Sequence, residues 1–150
     1  MACGERLLKK LDQLERAYTK LKDIPFLEPE LDREILYEVS AKRFEYTYEV
    51  LWKTVRLFLL ERKGLSCNSP LDCFKALFSA GLLEENLARL TPSIVRKRNE
   101  IVHIYDFATA EDVYTFIKET VIPVFGKIVD LMRQECEKED EFYKGQERRV

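Results

Sequence analysis

The sequence is short of the residues that most often announce a function. It has one histidine, and its four cysteines (Cys3, Cys67, Cys73 and Cys136) show no CxxC spacing, so a structural zinc site is not expected. Five glycines and five prolines are too few for the many tight turns of an all-β fold. No apolar run approaches the roughly 20 residues that span a bilayer; the longest, such as Leu57-Phe58-Leu59-Leu60, are far shorter. No charge sign dominates. A net charge of −2 argues against a dedicated duplex-DNA binder, which carries an excess of Lys and Arg. Any nucleic-acid contact must be local, and Arg96-Lys97-Arg98 is the best local candidate, although such a run is more often a solvated face. Met1-Ala2-Cys3-Gly4-Glu5 leads straight into charged sequence, so no secretory signal and a cytoplasmic location are expected. The cysteines then read as reduced thiols.

What remains is helical. Of 150 residues, 46% are hydrophobic and 35% charged, a balance that suits one globular, charge-coated domain. From Glu5 to about Asp23, Leu7, Leu11, Leu14, Tyr18 and Leu21 step by four and three along one helical stripe. Pro25 and Pro29 interrupt it. The longest segment runs from about Leu31 to Lys63. Its stripe is Tyr37, Ala41, Phe44, Tyr48, Leu51, Val55 and Phe58, widened by Ile35, Trp52 and Leu59, and Gly64 is the expected left-handed stop.

Ser69-Pro70-Leu71-Asp72 has the capping chemistry of a helix start, with Phe74, Leu77 and Phe78 as the apolar face and Gly81 as the end. A short piece from about Leu83 to Leu90 follows. Thr91-Pro92 repeats the start signal for a helix expected to reach about Tyr105. Thr109, with Asp112 three residues on, is expected to cap the last long helix, whose stripe is Val113, Ile117, Val121, Val124, Ile128 and Leu131. Pro123 and Gly126 predict a kink there. The expected architecture is all-α, an up-and-down bundle of four or five helices over residues 1–136. Residues 137–150 form a charged, fraying C-terminal tail.

The segment with chemistry is Arg96 to Asp106. Asn99 and His103, four apart, share a helix face, whereas Arg98 and Tyr105 share a line roughly 120–160° from His103. Arg98 and His103 would therefore meet on a small target only by a long reach, or by contribution from a second copy. Histidine moves protons near neutral pH, and arginine offers a planar fork of donors to phosphate. This set suits cleavage of RNA by its own 2′-hydroxyl, and equally plain nucleotide binding. Taken alone the residues have blander uses: a structural histidine, an arginine in a surface ion pair and a tyrosine packed at a helix end.

Arg98-Asn99-x-x-x-His103-x-Tyr105 resembles the Arg–polar–x3–His signature of the HEPN superfamily. The stretches Arg43 to Lys53, Ser69-Pro70 through Leu82, and His103 through Tyr114 resemble its nucleotidyltransferase substrate-binding branch, covering roughly residues 5–130. The resemblance implies a HEPN-like bundle that forms a homodimer and partners a minimal nucleotidyltransferase, often as a toxin–antitoxin pair. It implies Arg98 and His103 as catalytic residues of a metal-independent ribonuclease that needs no cofactor. Asn99, Arg96, Lys97 and Tyr105 would bind RNA or nucleotide, and Tyr105 is a possible site of nucleotidyl transfer. The alternative it leaves open is a non-catalytic adaptor that holds a nucleotide or substrate for the partner enzyme.

Overall fold

The structure is a computed structural model that describes residues 3–101 and 106–147, with side chains as far as Lys138. Seven α-helices are present among them: α1 (Glu5–Lys22), α2 (Arg33–Lys63), α3 (Pro70–Ser79), α4 (Glu85–Ala88), α5 (Thr91–Glu100), α6 (Phe107–Phe116) and α7 (Ile122–Glu147). No strand occurs among the described residues. The protein is all-α, as its periodicity requires.

α1 and α2 lie antiparallel, and the stripes read from the sequence explain why. Leu7, Leu11, Leu14 and Leu21 of α1 are fully buried, as are Phe44, Leu51, Val55 and Phe58 of α2. Burying one such side chain contributes about 1.5–3 kcal/mol. Polar links fix the register: the Thr47 hydroxyl donates to the Ala17 carbonyl at 3.3 Å, and Arg43 donates to that of Lys20 at 2.7 Å. α2 ends at Gly64, whose φ of 66° lies in the left-handed region that glycine enters without strain.

α7 runs back along α1. The Tyr18 hydroxyl donates to the Ile122 carbonyl at 3.1 Å, and Arg133 donates to Glu15 at 2.6 Å and Asp12 at 2.9 Å. The predicted kink has a definite form: residues Ile117–Val121 make a π-helical turn immediately before Pro123. Proline has no amide for the carbonyl four residues back and its ring crowds that carbonyl, so the turn widens while the apolar stripe continues. Gly126 keeps α7 close to α1, because a Cβ there would run into the Tyr18 hydroxyl.

Several expectations are corrected. The cysteines are not free: Cys3 bonds to Cys136 and Cys67 to Cys73, with Cα–Cα distances of 5.4 and 5.2 Å. Sequence spacing could not reveal the first bond, because only the α1–α7 pairing brings together residues 133 apart. Ile35 and Phe78 are not core; they are 47% and 45% exposed, each at the margin of its stripe. Thr91 does not cap α5. It is buried as the first helical residue and its hydroxyl donates to the Ala88 carbonyl at 2.7 Å. α5 is Thr91–Glu100, and the stretch 102–105, to which the helix is expected to extend, lies outside the described residues. The cap of α6 is Asp106, not Thr109: its carboxylate accepts the Thr109 amide at 2.7 Å, so the helix starts one turn early. The expected Ser69 cap is present, accepting the Asp72 amide at 3.2 Å. The charged run after Glu137 continues α7 to Glu147.

Candidate functional site around Arg98

α5 is a short helix packed on α3, with Thr91 and Ile94 as its buried residues and Ile101 sealing its end. Three consecutive basic residues on it point in different directions, as 100° per residue demands. Arg96 is exposed. Lys97 is half-buried, with its ammonium 5.3 Å from the centre of the Phe116 ring on α6 and 3.6 Å from the Glu100 carboxylate. Arg98 turns towards α2, where its guanidinium carbon lies 5.9 Å from the centre of the Tyr48 ring. Asn99 is exposed beside it. The structure therefore does not gather Arg96, Lys97, Arg98 and Asn99 into one cluster.

Arg98 is held unusually for an arginine. Its Nε is buried and has no hydrogen-bond partner among the described residues. Leaving a buried donor unpaired costs about 1–3 kcal/mol. The support beneath it is apolar. Tyr48 is buried, stacks edge-on against Phe44 and Phe74, and its phenol is pushed up to about 12 by burial and then by Glu49, with Arg98 acting in the other direction. Tyr48 is the site residue that sequence reasoning took only as core. Nothing in its spacing distinguishes it from Phe44, and only its hydroxyl hints at another duty.

His103 and Tyr105 lie outside the described residues. Ile101, before them in sequence, is buried in the core, and Asp106, after them, caps α6. The amides of Thr109 and Ala108 hold the Asp106 carboxyl below its ordinary pKa. α6 is in turn pinned to the α1–α2 connection. Glu28 accepts from the Tyr114 hydroxyl at 2.8 Å and from Lys118 at 3.1 Å, which lowers its pKa. Tyr37 packs between Phe107 and Tyr114, at 5.2 and 5.3 Å. No cluster of three or more potential metal ligands occurs among the described residues.

The fold is an all-α bundle that carries Arg98 and Asn99 on a short helix, α5, ahead of α6. Residues 8–134 match the family described as "Nucleotidyltransferase substrate binding protein like", and the chain belongs to that family. It is similar to a Thermus thermophilus protein of known structure at 28% identity and a TM-score of 0.73, over 80% of this chain and 98% of that one. It also resembles a tri-AMPylated Shewanella oneidensis HEPN toxin solved in complex with its MNT antitoxin. That match has 15% identity and a TM-score of 0.68, covering 88% of this chain and 99% of the other. A toxin–antitoxin solved with AMP-PNP matches at 14% identity and a TM-score of 0.61, over 87% and 99% of the two chains. The last two likenesses establish fold alone. No curated protein sequence matches the chain.

Proposed function

We propose that this chain is the HEPN-type partner subunit of a minimal nucleotidyltransferase, acting as a metal-independent ribonuclease whose Arg98 and His103 complete one site across a homodimer interface. The observation that supports the reading is the buried Nε of Arg98, without a partner among the described residues, with the guanidinium over the Tyr48 ring. A guanidinium fixed by an aromatic platform has donors available for the non-bridging oxygens of a scissile phosphate, where charge builds as the RNA 2′-hydroxyl attacks phosphorus. His103 takes the hydroxyl proton or returns one to the leaving 5′-oxygen. The products are a 2′,3′-cyclic phosphate and a 5′-hydroxyl. Asn99, Arg96 and Lys97 supply contacts to neighbouring phosphates or bases. Tyr105, two residues past the histidine, is the acceptor through which the partner would regulate the site. That a HEPN toxin of the same fold is AMPylated and bound to a nucleotidyltransferase antitoxin supports this partnership.

The test is cleavage of a mixed RNA by purified protein in EDTA, comparing wild type with His103→Ala and Arg98→Ala. Cleavage by wild type alone, leaving cyclic-phosphate ends, is expected. The proposed compartment is the cytoplasm, where disulfides are uncommon outside thermophiles, so the assay is run with and without reductant. No cleavage by folded, dimeric protein in either condition would leave the adaptor reading, in which the same residues hold a nucleotide for the partner enzyme.

A further inference from the structure

A second cationic site lies between the two longest-paired helices, and no residue of α5 lines it. Arg6 and Lys10 are one turn apart on α1, and Lys53 and Arg56 one turn apart on α2. With Leu57 and Leu60 these four residues line a groove of about 350 Å3. Positions three or four apart on a helix sit about 5–6 Å from each other, so the antiparallel pair of helices presents two short rails of positive charge with an apolar strip at one side.

Several cations elsewhere on the surface are matched by carboxylates. Lys9 pairs with Glu5, Arg89 with Glu85, Lys63 with Glu135, Lys118 with Glu28, and Arg133 with Asp12 and Glu15. In the groove only Lys53 has a carboxylate, Glu49 at 3.5 Å. Arg6, Lys10 and Arg56 have no ion-pair partner among the described residues. Four like charges brought together with so little compensation repel one another in the empty groove and attract a multiply charged anion into it. In a chain of net charge −2 the concentration is local, and it arises from the helix pairing.

We infer that the α1–α2 groove binds a compact polyphosphate, of the charge class carried by a nucleoside triphosphate. Its volume falls at the small end of ligand-sized pockets, about 300–1,000 Å3. Two arginine forks and two lysine point charges suit adjacent phosphate groups. Leu60, half exposed at the rim, and Leu57 beside it offer an apolar surface to the rest of the ligand. The inference does not depend on the ribonuclease reading, since it concerns other residues and needs no catalysis.

The experiment is titration of the full-length protein with inorganic triphosphate, followed by calorimetry and by NMR, at low and moderate salt. Saturable one-to-one binding that weakens with salt is expected. It should fall at least tenfold in Arg6→Gln/Arg56→Gln and stay unchanged in Arg89→Gln, a cation at the end of α4 that does not line the groove. The double variant should melt no lower than wild type without ligand, because it removes repulsion. Absence of saturable binding by folded wild type, or equal loss in the Arg89 control, would overturn the site. A short RNA of equal charge that binds more tightly, and is lost in the same double variant, would overturn the small-ligand assignment in favour of a nucleic-acid backbone.

Discussion

Arg133 and Arg98 are both partly buried arginines on helices, and the two seams they sit in are held together in opposite ways. At the α1–α7 seam, Arg133 donates to both Glu15 and Asp12, so its charge is matched from two directions. Around it the fit is close: Gly126 admits the Tyr18 ring, and Cys3–Cys136 ties the two helices covalently. Where α5 faces α2, Arg98 has an aromatic ring below it and a buried nitrogen with no acceptor among the described residues. The first arrangement is matched within the fold; in the second, no acceptor for Arg98 Nε lies among the described residues. A charged group whose needs are met by its own fold contributes to stability, whereas one left unmet is available to something else.

The sharpest way to break this comparison is to cut the covalent tie. Cys3→Ser/Cys136→Ser opens a closure between residues 133 apart, and chain entropy predicts a loss of about 4–5 kcal/mol. At about 2–4 °C per kcal/mol for a chain of this size, melting should fall by about 10–15 °C in calorimetry. Cys67→Ser/Cys73→Ser closes only a six-residue separation and should cost about half as much. Equal shifts for the two pairs, or none for the first, would mean that the α1–α7 seam does not rest on its disulfide.

The next test compares the arginines themselves with the stem retained. Arg133→Met leaves Glu15 and Asp12 facing an apolar tip and should cost about 1 kcal/mol, a modest figure because both carboxylates reach solvent. Arg98→Met removes a buried donor without a partner among the described residues along with its contact to the Tyr48 ring, so the two effects oppose and stability should stay the same or rise by up to about 1 kcal/mol. Denaturant melts of the two variants decide the matter. A loss at Arg98 as large as that at Arg133 would make it a structural residue and weaken the case for its use in a site.

How much of this contrast was legible beforehand follows from what each feature depends on. The helices α1, α2 and α3 were readable because their determinants are local: a four-three stripe, a glycine free to turn left at Gly64, and a Ser69 side chain that reaches the amide of Asp72. The start of α6 was placed a turn late because Asp106 and Thr109 carry the same capping chemistry, and only coordinates show which one accepts the amide. Thr91 misled for a related reason. Its hydroxyl turns inward to Ala88, a choice made by packing against α3. The Arg98 position was legible as a motif, yet its platform was not. Tyr48 lies fifty residues earlier in a stripe of similar aromatics, and no spacing rule links the two. The Cys3–Cys136 disulfide and the α1–α2 groove escape the sequence on the same ground, since both are products of helix pairing between distant segments.

The smallest expected effect concerns Glu28, whose network anchors the helix that follows the His103 segment. Hydrogen bonds from Tyr114 and then Lys118 lower its pKa below the ordinary glutamate value. A group whose pKa is depressed on folding contributes stability that is fully present above its unfolded value. That contribution is lost as pH falls through the lowered value, because the unfolded chain takes up the proton first. Glu28→Gln should therefore melt slightly below wild type at neutral pH, and the gap should close as the solution is brought into the acid range. Melting curves of both proteins across that range read it directly. A gap that stays constant would mean that Glu28 acts through packing alone. A gap that narrows, with ribonuclease or ligand binding also altered at neutral pH, would tie the placement of α6 to the segment bearing His103 and Tyr105. It would also set the Arg98 region further apart from the seam that Arg133 holds shut.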